Sequence, residues 1–218
     1  MFANILSRVG FLKLPAIAVF FAVTILFFSV GNYYNSDEGV ILDGAWRMYN
    51  GDKLYTDFFS YIAPGSYWWT ELSFGLLGPS YISARIFSAF LLVLSIVAVY
   101  GMVILAGGSR FSALAGSLVW YFANILNVII INHNNHSSYL ASFAVLFMAL
   151  ALRNRRGFYF FAAGVFTGIT IVFLQTKGLA LAFGFGLLML FYALRAKIPK
   201  KAVLIFCGGC LIFPAIVI

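Results

Sequence analysis

Five of the six acidic residues fall within NSDEGVILDGAWRMYNGDKLYTDFF, residues 35–59, and the sixth, Glu71, follows shortly after. Asp37 and Glu38 are adjacent there. A carboxylate can accept the proton of an attacking hydroxyl, so this pair is the candidate for general-base work. The cations that could hold a departing phosphate are Arg47, Arg85 and Lys177. Asp57, Glu71, His133 and His136 are candidate acceptor or site contacts. The two histidines stand three residues apart in NHNNHSS, a spacing that could bring both onto one ion, with Asp37 as a third ligand if loops meet. No confident metal set results, so a divalent cation stays an open cofactor.

Every one of these residues also has a structural use. Asp37 could cap a helix in a solvated loop and Glu38 could complete a capping box. Asp43 and Arg47 would form a surface pair four residues apart, a contribution of ~0.3–0.5 kcal/mol. Asp57 suits a turn, Glu71 an ion pair, and the histidines a polar turn at the headgroups. Lys177 could snorkel to an interface, and Arg85 could anchor a helix start. Cys207 and Cys210 form CGGC in an apolar segment with no second pair nearby, which reads as two small residues on one helix face.

The elements that must position these groups differ in kind. The segment from Tyr33 to about Ser80 is much longer than any other connector, and long ordered loops between short ones tend to carry function. Asn35 followed by Glu38 resembles a capping box, and Asp37 and Glu38 would sit in a first turn where the helix dipole favours negative charge. That helix is expected to reach Asn50 and stop at Gly51. Ile41, Ala45 and Met48 share one face, and Asp43, Arg47 and Asn50 another. A second piece, Pro64 to Gly78, holds Tyr67, Trp68, Trp69 and Phe74, which fit a headgroup belt. In it Glu71 needs a partner or a wet cavity.

Around this loop the chain is 63% hydrophobic and 9% charged, against roughly 25% charged in soluble domains. The apolar residues run in blocks of membrane-spanning length. Seven such segments are expected: Leu14–Gly31, Tyr81–Ala106, Phe111–Ile131, Ser137–Leu152, Phe158–Leu174, Leu179–Leu194 and Ala202–Ile218. The fold class is therefore an all-α membrane protein, with about seven transmembrane helices plus one or two interfacial helices in a long first outer loop. Ser29-Val30-Gly31 offers a weak cleavage site, but the long Phe-rich run before it favours a retained helix. Residues 1–218 read as one polytopic domain without internal repeats.

Basic residues set the orientation. With the N-terminus in the cytoplasm, Arg8, Lys13, Arg110, Arg153, Arg155, Arg156, Arg195, Lys197, Lys200 and Lys201 all lie inside. Arg47, Lys53, Arg85, Lys177 and all six acids lie outside. The net charge of +8 then reports topology, and no nucleic-acid partner is called for. NHNNHSS (132–138) would join the third and fourth segments and QTKG (175–178) the fifth and sixth, so both are expected as outer turns beside the acidic loop. The expected location is the plasma (inner) membrane, with the active face outside.

Two stretches carry a family resemblance. SDEGVILDGAWRMYNGDKLYTDFF, continued by APGSYWW and LLGPSYISARIFSAFL, resembles the first outer loop and second span of polytopic GT-C glycosyltransferases, in the branch of protein O-mannosyltransferases and lipid A aminoarabinose transferases. FLQTKGLALAF resembles the Thr-Lys-Gly turn of that branch. The resemblance implies a sugar donor on polyprenyl phosphate, used on the non-cytoplasmic face with inversion. It implies that Asp37 is the general base, Glu38 its neighbouring acid and Lys177 a phosphate contact. SYIAPG lacks the lysine that often precedes the proline step in the aminoarabinose branch. The family is usually about twice as long, which makes 1–218 the N-terminal part of a larger architecture.

Three functions compete. The first is sugar transfer from a polyprenyl-phosphate donor to an unidentified acceptor hydroxyl. The second is a truncated, non-catalytic relative that binds a lipid phosphate or a partner subunit. The third is a flippase for a lipid-linked sugar, for which Thr167, Thr170 and Gln175 are the sole polar hint.

Overall fold

The computed structural model describes residues 36–125 and 131–217. The first expected span and Asn35, the N-cap half of the expected capping box, lie outside them. The described chain is helical: α1 (Ser36–Tyr49), α2 (Gly65–Leu77), α3 (Tyr81–Leu105), α4 (Arg110–Ile125), α5 (His133–Asn154), α6 (Gly157–Phe173), α7 (Gln175–Leu194), α8 (Lys201–Leu211) and the single turn α9 (Pro214–Val217).

Three of these, α3, α5 and α7, are long and apolar enough to cross a membrane, while α6 and the Lys201–Ile216 stretch are apolar but shorter. The seven expected spans are therefore not all present as full-length helices among the described residues. The expected third span is represented by α4, which the structure describes to Ile125.

Local chemistry explains the boundaries. Ser80 caps α3 by accepting from the Ser83 N–H at 3.1 Å, and Asn132 caps α5 by accepting from the Asn134 N–H at 2.7 Å. Helix α1 stops at Gly51, whose φ of 103° costs a glycine little. Arg153, from the RNRR connector, donates to the Leu105 carbonyl at 3.1 Å, closing the C-terminal end of α3.

Two polar motifs expected as turns are the first turns of helices. NHNNHSS starts α5 at His133, because Asn132 is a strong N-cap. QTKG opens α7, and Leu174, an extended residue, alone separates it from α6.

Helix α6 is the centre of the bundle, packed on α5, α7 and α8, while α3 packs on α4 and α5. Tight crossings depend on small residues, as expected where lipid supplies no hydrophobic contrast between helices. A methyl group on Gly164 or Gly168 of α6 would meet the carbonyls of Phe206 and Cys210 on α8, and one on Gly209 would meet the Phe161 carbonyl. CGGC is part of this seam: Cys210 is buried, Cys207 is exposed, and both are free thiols.

Helices α1 and α2 pack together over the start of α3. Ile41 and Ala45 of α1 are buried with Tyr67 and Phe74 of α2 and Ala84 of α3. Gly44 permits the approach, since a Cβ there would run into the Tyr67 ring.

Candidate functional site

Glu38 and Arg85 are 47 positions apart in sequence and form a buried ion pair, Arg85 Nη2 donating to Glu38 Oε2 at 3.0 Å. Glu38 is 0% exposed and Arg85 1%. The same carboxylate accepts from the Tyr81 hydroxyl at 3.1 Å and from the Ile131 N–H at 3.3 Å. The Arg85 guanidinium also lies over the Tyr81 ring, 4.4 Å from its centroid. A charge taken out of water needs this density of partners. The pair joins α1 to the head of α3.

Asp37, one residue earlier, is only partly buried. Its Oδ2 accepts from Asn132 Nδ2 at 3.0 Å. Asn132 thus uses its oxygen to cap α5 and its nitrogen to hold Asp37 beside the first turn of that helix. His133, the first residue of α5, lies close enough to feel both the Asp37 carboxylate and the Lys177 ammonium. Lys177 reaches from the first turn of α7 to the same turn of α5. It donates to the Asn134 carbonyl at 2.8 Å, Ser137 Oγ at 3.0 Å and Ser138 Oγ at 2.7 Å.

His136 sits one turn deeper and is 0% exposed. Its Nδ1 lies 3.0 Å from Ser66 Oγ of α2 and its Nε2 2.8 Å from Ser88 Oγ of α3. With both nitrogens engaged, the ring ties three helices together and presents no lone pair to an ion. Among the described residues, no three His, Cys, Asp or Glu side chains gather into a metal-binding group.

The remaining candidates are elsewhere. Arg47 pairs with Asp52 at 2.8 Å, not with Asp43 as expected. The reason is the turn at Gly51, where the Asp52 N–H bonds the Arg47 carbonyl at 3.0 Å and brings its carboxylate to the guanidinium. Arg47 also lies over the Phe58 ring at 4.5 Å and donates to the Asp57 carbonyl at 3.3 Å. The Asp57 carboxylate accepts from the Lys53 N–H at 2.7 Å, which closes a turn. Glu71 makes no ion pair or hydrogen bond among the described residues, and burial raises the pKa of its carboxyl above the usual value. It lines a cavity of about 330 Å³ near the C-terminal end of α1.

The structure thus brings Asp37, Glu38, Arg85, His133 and Lys177 to one set of helix ends, and leaves Arg47, Asp57 and Glu71 at the other end of α1. Residues that the sequence reading passed over are Asn132, Tyr81, Ser66 and Ser88. Asn132 had a signal, being an N-cap type directly before a periodic apolar run. The serines had none, since a single serine in an apolar segment is ordinary.

Among the described residues the chain is helical, three helices are long and apolar enough to cross a membrane, and the acidic and basic groups above gather at one set of helix ends, opposite the basic connectors. Residues 62–218 match the dolichyl-phosphate-mannose-protein mannosyltransferase family, and the chain belongs to that family. Membership makes it a member of a membrane glycosyltransferase family of the GT-C type. Asp37, Glu38, Arg47 and Asp57 precede the matched region. No curated protein and no solved structure matches the chain.

Proposed function

We propose that the chain transfers a sugar from a polyprenyl-phosphate donor to an acceptor hydroxyl, on the non-cytoplasmic face of a membrane crossed several times. The observation that carries this reading is the placement of Asp37 by Asn132 at the first turn of α5, near His133 and Lys177.

Asp37 accepts the acceptor's proton as its oxygen attacks the anomeric carbon. The new bond is oxygen to anomeric carbon. The broken bond is anomeric carbon to phosphate oxygen, and polyprenyl phosphate leaves with the electron pair. Attack opposite the leaving group inverts the carbon. The charge gathering on the phosphate is met by the N-terminus of α7 and by Lys177, whose ammonium would exchange one of its contacts to Asn134, Ser137 and Ser138 for a phosphate oxygen. Helix α7 begins without a side-chain cap, and such an end favours an anion. Glu38 and Arg85 position Asp37 from behind and do not touch the donor.

Two of the three polar residues that hinted at a flippase are engaged within their own helix, and the third, Gln175, is exposed at the start of α7. Thr167 and Thr170 donate to the carbonyls of Ala163 and Phe166 within their own helix, both at 2.7 Å. The test is sugar transfer from a polyprenyl-phosphate donor in membranes holding the protein. Asp37→Asn should lose roughly 10²–10⁴-fold in turnover, the range for a general base. Unchanged turnover removes the proposed base.

A further inference from the structure

The connectors at the end of the bundle away from Asp37 carry charge of one sign. RNRR (153–156) joins α5 to α6 and RAKIPKK (195–201) joins α7 to α8. No acidic residue follows Glu71 in the chain, so neither connector has a counter-ion nearby in sequence. Every basic residue in both is exposed, and none forms an ion pair among the described residues.

Packing brings these charges together. Helices α6 and α8 run in parallel: a Cβ on Gly157 would lie 3.3 Å from Ile205 Cδ1, and Gly164 and Gly168 meet the carbonyls of Phe206 and Cys210 in turn. The two helix starts are therefore neighbours, and Arg155 and Arg156 come beside Lys200 and Lys201. Ile198 fixes the second connector, buried in one cluster with Ala151 of α5 and Phe160 of α6. Arg195 and Lys197 instead lie over the rings of Phe191 and Tyr192, at 4.4 and 5.8 Å from the centroids. Four cations gathered without a counter-ion repel one another, and an anion from outside relieves that repulsion. Just past the charges, the same two helices turn apolar and stay uncovered. Phe158 is 69% exposed and Leu204 75%, with Phe161 and Leu211 exposed beyond them.

We propose that this end of the bundle binds an anionic glycerophospholipid, its phosphate among Arg155, Arg156, Lys200 and Lys201 and its acyl chains along Phe158 and Leu204. The sign of the patch selects an anion, and guanidinium groups suit a phosphate because they can grip two of its oxygens at once. The apolar side chains beside the cations select a lipid. A free phosphate, an RNA or an acidic protein would meet the charges and leave Phe158 and Leu204 uncovered. A zwitterionic lipid has the chains, but it brings its own ammonium against the four cations. The site is at the opposite end of the bundle from Asp37 and does not depend on the glycosyltransferase reading.

The test titrates the full chain in detergent with phosphatidylglycerol or phosphatidylcholine of the same acyl chains and counts bound lipid by native mass spectrometry. One charge-assisted hydrogen bond corresponds to about tenfold in affinity, so phosphatidylglycerol should bind at least about tenfold more tightly than phosphatidylcholine. The variant Arg155→Gln, Arg156→Gln, Lys200→Gln, Lys201→Gln changes exposed side chains only. It should keep the wild-type melting temperature and lose the gap between the two lipids. Lys53→Gln, a cation near the opposite end, should leave the gap intact. Phe158→Gln with Leu204→Gln should weaken both lipids by a similar factor. Equal binding of the two lipids by the wild type overturns the proposal, and so does a gap that survives the fourfold variant. Displacement of phosphatidylglycerol by glycerol phosphate or by a short RNA at equal concentration overturns it as well, since either would mark the patch as a site for a soluble anion.

Discussion

Adjacent acids have opposite fates here. Asp37 is held by one amide beside a helix start, and Glu38 is fully buried against Arg85 and Tyr81. Removing one member of a buried ion pair strands the other, at a cost of about 3–5 kcal/mol, whereas replacing both with apolar residues of similar size is close to neutral. Glu38→Met and Arg85→Met alone should therefore each lower the melting temperature in detergent sharply, and the double variant should regain most of the loss. Additive losses would show that the two side chains do not act as a pair. Glu71 gives a pH signature. Its folded pKa is raised by burial, so the folded state binds the proton more readily than the unfolded one. Stability from this group is fully present below the ordinary carboxylate range and is lost as pH rises from there through the raised value. Glu71→Gln should then melt slightly higher than wild type at neutral pH in detergent, and the difference should vanish in acid. The effect is small because the group is only partly buried. Of the residue-scale chemistry, the clustering of acids was legible from spacing. The Glu38–Arg85 partnership was not, because nothing local links positions so far apart, and Asp43 as the partner of Arg47 was wrong because the turn after Gly51 brings Asp52 closer.

At the scale of elements, helix ends do the positioning. Asn132 and Lys177 each belong to a first turn, and both fasten the head of α5 to neighbours. His136 fastens it to α2 and α3. Replacing His136 with Phe keeps an aromatic ring but leaves the Ser66 and Ser88 hydroxyls buried without this partner, at about 1–3 kcal/mol each. Thermal unfolding of His136→Phe should fall accordingly, while an unchanged melting temperature would mean that the serines find other acceptors. The α6–α8 seam makes a second expectation. Gly168→Val drives a branched side chain into the Cys210 carbonyl, and overpacking of this kind costs roughly 1–3 kcal/mol. Alkylation of the buried Cys210 thiol should accelerate in that variant, and a rate equal to wild type would show that the seam relaxes freely. Glycine stops and the two helices of residues 36–80 could be read from sequence, since Gly51 and Gly78 take the positive φ that ends a helix. The polar motifs at 132–138 and 175–178 misled, because a one-residue connector turns what looks like a loop into the start of the next helix.

On the scale of the whole molecule, charge and hydropathy gave the membrane class, the resemblance of two stretches gave the family, and the family match over 62–218 supports that family without fixing a branch. The number of full-length spans did not follow, because the apolar run behind α6 is itself only 17 residues long and α8 ends at Leu211, before its run does. The described helices collect Asp37, His133 and Lys177 at one set of ends and place the RNRR and RAKIPKK connectors at the opposite ends of α5 and α7. A chain crossing the membrane in this way exposes those two sets on opposite faces. The most direct measurement of the central claim is sugar transfer in membranes by Asp37→Asn set beside Asp43→Asn, an exposed carboxylate on the same helix. Asp37→Asn should lose roughly 10²–10⁴-fold in turnover with protein abundance unchanged, and Asp43→Asn should match wild type. Equal turnover in both variants, or a loss confined to Asp43→Asn, would contradict Asp37 as the base.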